Sequence, residues 1–195
     1  MTAPEAAAGE LARLLCAGAD TALELGGATA IFEAIAGQPL SAEIDSGAAR
    51  PLTEQEAGLL QPGARDTAYE RAGLLRTAAG VPVAAITAVI LPRRIPGPAR
   101  PALGISTAGT PVPGHPGVPL GRALRGFGVR RRQLEALPVD AGRDDAGGPQ
   151  VLYSAALLHA GRPVALVTER VYLVFLDAYP PPWPRVPAAA RAGAL

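Results

Sequence analysis

The sequence predicts an α+β fold: a central antiparallel β-sheet flanked by helices. Three observations carry this expectation. Two helix-like segments open the chain, and two pairs of apolar strand-like runs follow them, each pair joined by a short turn that contains glycine. The length of 195 residues suits one domain, expected over residues 1–176. Hydrophobic residues make up 49% of the chain but aromatic ones only 4%, so Ala, Val and Leu must fill the core.

Taken in order, "MTAPEAAA" is a frayed start and "ELARLLCAGADTALEL" a first helix. Residues 29–36 form a second helix, begun by a glycine pair and stopped by Gly37. Residues 40–44 are strand-like, and 46–66 are a polar connector with one helical turn. "AYERAGLLRT" and "VPVAAITAVILP", joined by "AAG", make the first hairpin. Residues 93–117, rich in Pro and Gly, read as a long loop of the kind that serves as a lid or binding loop. "PLGRALRGFG" is a short helix, "VRRRQLEALPVD" a strand and "AGRDDAGGPQ" a loop. "VLYSAALLH", the turn "AGR" and "PVALVTERVYLVFL" make the second hairpin, and residues 177–195 a Pro- and Ala-rich disordered tail.

Composition narrows the function classes. A formal net charge of +1 gives no reason to expect nucleic acid or another polyanion as partner. Every basic residue is Arg, which with abundant Ala, Gly and Pro fits coding bias from a GC-rich genome. The single cysteine, Cys16, excludes an internal disulfide and a cysteine metal site, and is expected in the core. No basic stretch precedes an apolar run at the start, and no run approaches the ~20 apolar residues that span a bilayer. A cytoplasmic protein with no membrane partner, monomeric or homodimeric, is expected.

Most candidate chemistry has a plainer reading. In "VRRR" Arg130 and Arg132 share one strand face while Arg131 takes the other, and the run reads as a solvated edge strand. His115 and His159 lie in turns without ligand partners at metal spacing, so no metal and no cofactor are expected. Asp144 and Asp145 solvate a loop, and Ser154 has no histidine partner for a triad. Two features remain. Glu169 shares strand parity with Ala165, Val167 and Val171 and so points inward, where a carboxylate needs an internal Arg, a ligand or a raised pKa. Arg71 and Arg76 are five residues apart, so in a regular strand only one faces inward. Arg76 lies beside the turn and reaches water; Arg71 lies deeper. If the hairpins are neighbours, an inward Arg and Glu suit a small ligand with a carboxylate at one end and a hydroxyl at the other.

The ordered blocks "YERAGLLRTAAGVPVAAITAVILP", "VPLGRALRG" and "AGRPVALVTERV", with "GGATAIFEAIAG" before them, resemble the chorismate pyruvate-lyase family, whose fold is also called chorismate-lyase-like or UTRA-like. The resemblance covers roughly residues 22–172 and implies an enclosed site. It implies cofactor-free conversion of chorismate to 4-hydroxybenzoate and pyruvate, a carbon–oxygen lyase reaction. Carried over, Arg71 would pair with the ring carboxylate and Glu169 would meet the ring hydroxyl as the catalytic pair. The backbone at Ala28, Leu120 and Gly121, at two helix starts, would bind the substrate. Two alternatives stand beside this one. One is an elimination or cyclisation on another small carboxylic acid. The other is a non-enzymatic small-molecule-binding domain, although the first ~45 residues carry no basic recognition helix.

Overall fold

The computed structural model describes residues 3–17, 27–106, 109, 118–139 and 150–183. The helices are α1 (Ala3–Ala17), α2 (Ala28–Ala36), α3 (Glu54–Leu60), α4 (Leu120–Ala123) and α5 (Leu173–Ala178). The strands are β1 (Leu40–Arg50), β2 (Ala68–Thr77), β3 (Pro82–Ile90), β4 (Val129–Val139), β5 (Gln150–His159) and β6 (Arg162–Val171). They form one six-stranded antiparallel sheet in the order β1-β2-β3-β6-β5-β4. The two hairpins are therefore neighbours, joined along β3 and β6. The α+β class with a central antiparallel sheet is the one the sequence predicts.

Helix α1 starts earlier than expected, and its described part ends at Ala17; residues 18–26 lie outside the described residues. Its buried stripe is Ala8, Leu11, Ala12 and Leu15, at helical spacing. Each fully buried Leu contributes about 1.5–3 kcal/mol. Cys16 falls off that stripe and is exposed, which corrects the expected core cysteine. Helix α2 ends at Gly37, whose φ of 64° is the left-handed conformation glycine adopts without penalty. Its Phe32 meets Phe175 of α5 edge to face, with ring centroids 6.0 Å apart.

Strand β1 runs beyond Ile44 into the polar connector, with a bulge between Ile44 and Ser46. As an edge strand it needs ladder partners on one side only, so polar residues do not end it. Opposite the bulge only glycine fits at position 73, because a Cβ there would collide with the carbonyl oxygen of Glu43. Helix α3 begins at a capping box: the Thr53 hydroxyl accepts from the Glu56 N–H, and the Glu56 carboxylate accepts from the Thr53 N–H. Arg50 at the end of β1 donates to Glu56 and Glu70, and its pairing holds the Glu56 carboxyl down at about 2.

Residues 92–103, most of them in the loop expected over 93–117, fold into three single 3-10 turns that bury Ala99 and Leu103. Arg94 clamps this segment. It pairs with Asp66 and donates to the carbonyl oxygens of Leu60, Gln61 and Pro163. At the far end β6 stops at Val171 and the chain turns into α5, where a longer strand was expected. The ordered fold runs past residue 176: Trp183 is buried and its indole N–H donates to the Tyr179 carbonyl oxygen at 2.6 Å. His159 ends β5 and is half-buried; His115, Asp144, Asp145 and residues 184–195 lie outside the described residues.

The inner face of the sheet carries two apolar clusters. One gathers α1, α2 and α5 with Leu75, Ala84 and Val171. The other gathers the 3-10 segment and α4 with Ile90, Leu157 and Ala165. A third, small cluster lies under α3, formed by Leu60, Ala68, Val89 and Leu91.

Candidate functional site

The two inner clusters do not close completely against each other, and a cavity lies along their seam. Its floor is the sheet. Leu75, Tyr153 and Ala155 come from the first cluster, and Ala88 and Leu157 from the second. Its roof is the starts of α2 and α4, at Ala28, Thr29, Leu120 and Gly121. The space open to the centres of water-sized atoms is about 40 Å³.

Three polar side chains enter this otherwise apolar space: Arg131 from β4, Tyr153 from β5 and Glu169 from β6. Strand register explains the arrangement. Glu169 stands opposite Ile86 on one side and Tyr153 on the other, so all three occupy one cross-strand row on the inner face. Arg131 stands opposite Leu157, and a register shift between Gln133 and Glu135 follows it in β4. Its guanidinium carbon lies 5.4 Å from the centroid of the Tyr153 ring, a cation–π contact.

These three groups are out of water, with relative exposures of 1% for Arg131, 2% for Tyr153 and 5% for Glu169. Their hydrogen bonding is incomplete. Arg131 Nη2 donates to the Leu15 carbonyl oxygen of α1 at 2.8 Å, while Arg131 Nε and Nη1, Tyr153 Oη and Glu169 Oε2 have no partner. Burial pushes the Glu169 carboxyl up to about 7, with the Arg131 charge opposing that rise. Burial also raises the Tyr153 phenol, again against Arg131. Glu169 makes no salt bridge within 4.0 Å among the described residues, so it is not the closed structural ion pair that an inward Glu could have been.

Glu169, Ala28, Leu120 and Gly121 all line the cavity; Arg71 does not. Arg71 is buried on the same face of the sheet, opposite Ala88, which lines the cavity. It has no ion pair among the described residues, and burial draws its pKa down. Arg76 is more exposed and pairs with Glu43 at 2.7 Å. A bulge lies between Leu75 and Arg76.

The cation inside the cavity is Arg131, taken from the sequence as part of a solvated run. That reading holds for Arg130 and Arg132, which are exposed, and is corrected for Arg131. The signal was parity: Arg131 alternates with Arg130 and Arg132 and shares its face with buried Val129.

No protein-family model matches the sequence, nor does any curated protein. Solved structures do match. The effector domain of PhnF from Mycobacterium smegmatis superposes with a TM-score of 0.53 at 18% identity, over 73% of this chain and 87% of that one. A further structure of PhnF gives 0.51 at 17% identity, over 72% of this chain and 61% of that one. The gene product SA0254 from Staphylococcus aureus gives 0.51 at 10% identity, over 68% and 83%. The expected lyase finds no support in this comparison and is corrected: the matching structure is that of an effector domain. The geometry agrees, since Arg71 is outside the cavity that Glu169 lines. Fold and not activity is what these likenesses establish: the chain has the chorismate-lyase-like, or UTRA, fold of the PhnF effector domain.

Proposed function

We propose that this chain is a non-enzymatic small-molecule-binding domain whose ligand is a compact acid that also carries a hydroxyl group. One observation carries the reading: four unpaired polar atoms of Arg131, Tyr153 and Glu169 converge on a single buried cavity with otherwise apolar walls. Leaving buried polar atoms unpaired costs about 1–3 kcal/mol each. A ligand that supplies their partners recovers that cost, and an effector-type fold is a natural host for it. The free N–H groups of Arg131 suit an acidic group. Glu169 accepts from a hydroxyl when ionised and donates when protonated, and Tyr153 does both. No metal-binding cluster of His, Cys, Asp or Glu occurs among the described residues. No helix among them is long and apolar enough to cross a membrane.

The test is calorimetric titration with 4-hydroxybenzoate, its methyl ester and phenol. The acid should bind at least tenfold more tightly than the ester, and Arg131→Met should remove that preference. Chorismate incubated with the protein should come back unchanged, with no pyruvate released. Equal affinity for acid and ester, or an unaltered preference in Arg131→Met, would defeat the assignment of Arg131 as the acid-binding group.

A further inference from the structure

We infer that an acid enters the cavity together with one proton drawn from solvent, and that Glu169 carries that proton in the complex. The inference rests on the binding reading and concerns the regulation of the same site. The cavity holds one cation, Arg131, and one carboxyl group, Glu169, with the Tyr153 phenol beside them. Arg131 donates to the Leu15 carbonyl oxygen, a neutral partner that does not cancel its charge. With Glu169 ionised, the charges of the two side chains balance. A carboxylate seated on Arg131 would make two anions share one guanidinium. Two carboxyl groups in one buried site do not both ionise, so one of them takes up a proton.

No other described group that lines the cavity offsets the second charge. Strand β3 presents Ile86 and Ala88, β2 presents Leu75, and the starts of α2 and α4 bring no ionisable side chain. On β6 itself Val167 and Val171 share the face of Glu169, while Arg170 is exposed. Arg71 is buried on the same sheet face but does not line the cavity. Cys16 of α1 is exposed, and its thiol bears on the Tyr153 phenol. Arg131 is the charge that bears on Glu169, where it opposes the effect of burial. An anion on Arg131 removes that opposition, so the bound acid tightens the hold of Glu169 on its proton. A protonated Glu169 donates, and the far end of the ligand therefore offers it an oxygen that accepts.

Calorimetric titration with 4-hydroxybenzoate at pH 6 and pH 8, repeated in buffers of different ionisation enthalpy, counts the protons taken up. The ligand carboxyl is ionised at both pH values. Free Glu169 titrates at about 7, so it is mostly protonated at the lower pH and mostly ionised at the higher. Uptake should rise from near zero at pH 6 toward one proton per ligand at pH 8, and affinity should fall about tenfold between them. In Glu169→Gln the amide keeps a donor and loses the charge. That variant should take up no proton at either pH and bind equally at both, at pH 8 at least as tightly as the parent. A second arm uses formate, the smallest carboxylate. The Glu169 carboxyl carbon is followed by NMR across pH in formate and in chloride of equal ionic strength. Formate should raise the Glu169 midpoint in the parent and leave it unmoved in Arg131→Met.

Uptake that persists in Glu169→Gln would put the proton on the ligand and overturn the assignment to Glu169. Binding of 4-hydroxybenzoate without uptake at either pH, with a midpoint that formate leaves unmoved, overturns the inference while the binding reading stands. If the parent binds no 4-hydroxybenzoate but formate moves the midpoint through Arg131, the choice of ring acid fails and the proton linkage stands. If neither acid has an effect, the binding reading fails and the linkage falls with it.

Discussion

Arg94 and Arg131 are both largely withdrawn from water, and the protein treats them in opposite ways. Arg94 has Asp66 and three backbone carbonyl oxygens around its guanidinium, joining α3, the 3-10 segment and the start of β6. Arg131 has one carbonyl oxygen, that of Leu15, and an aromatic face. Its Nε and Nη1 are left without partners. A saturated guanidinium is a clamp: it fixes chain segments and has nothing left to offer. An unsaturated one held in a cavity is a binding group, because the missing partner can come from outside. Arg131 is the more deeply buried of the two, with Arg94 keeping 18% of its side chain exposed, yet what separates their roles is the completeness of their hydrogen bonding.

The comparison breaks most visibly at the clamp. Arg94→Ala should destabilise the domain by about 3–5 kcal/mol, since it strands Asp66 and the carbonyl oxygens it served. Urea denaturation measures this, and the folded fraction should bind 4-hydroxybenzoate as the parent does. A loss below about 1 kcal/mol would remove the distinction.

Next comes the carboxyl facing Arg131. The folded pKa of Glu169 is about 7 against an ordinary value of 4.5, so the folded state holds its proton more tightly. Stability should therefore fall as pH rises from about 4.5 to 7 and level off above that, a total of about 3 kcal/mol. Glu169→Gln should flatten this part of the profile and leave the protein more stable than the parent at pH 8. Melting curves across that window decide it.

At pH 5, where Glu169 is protonated, Arg131→Met should change stability by less than about 1 kcal/mol, because a flexible apolar side chain fills the space and the incompletely paired guanidinium is gone. It should abolish the preference for acids all the same. Arg71→Ala should weaken acid binding less than Arg131→Met does, since Arg131 lines the cavity and Arg71 does not. The reverse ranking in calorimetry would move the acid site to Arg71. The smallest effect belongs to Arg76→Ala, whose exposed pair with Glu43 should be worth no more than about 0.5 kcal/mol by thermal unfolding.

Much of this architecture is legible in the chain, for particular reasons. The hairpins announce themselves through apolar runs around "AAG" and "AGR", and Glu169 betrays its inward face by parity with Val167 and Val171. Helix α3 is longer than the single turn the connector suggests, and "TEQE" spells the capping box that starts it. The three 3-10 turns were hidden because proline and glycine mark loops whether or not Ala99 and Leu103 are buried beneath them. Arg131 was obscured by its neighbours, since three consecutive arginines look solvated until alternation is applied to each. The cavity itself was not legible. It depends on how α2 and α4 meet across a seam, which is a matter of tertiary packing that no local pattern records.

Cys16 turns one further detail to use. It is the sole cysteine, it is exposed, and it follows the residue whose carbonyl oxygen holds Arg131. Its sulfur accepts from the Gln133 side chain at 3.1 Å, and Gln133 is two residues along β4 from the same arginine. A maleimide dye attached there needs no prior mutagenesis. Placed beside the segment that holds Arg131, it offers a labelling site for a fluorescent ligand screen.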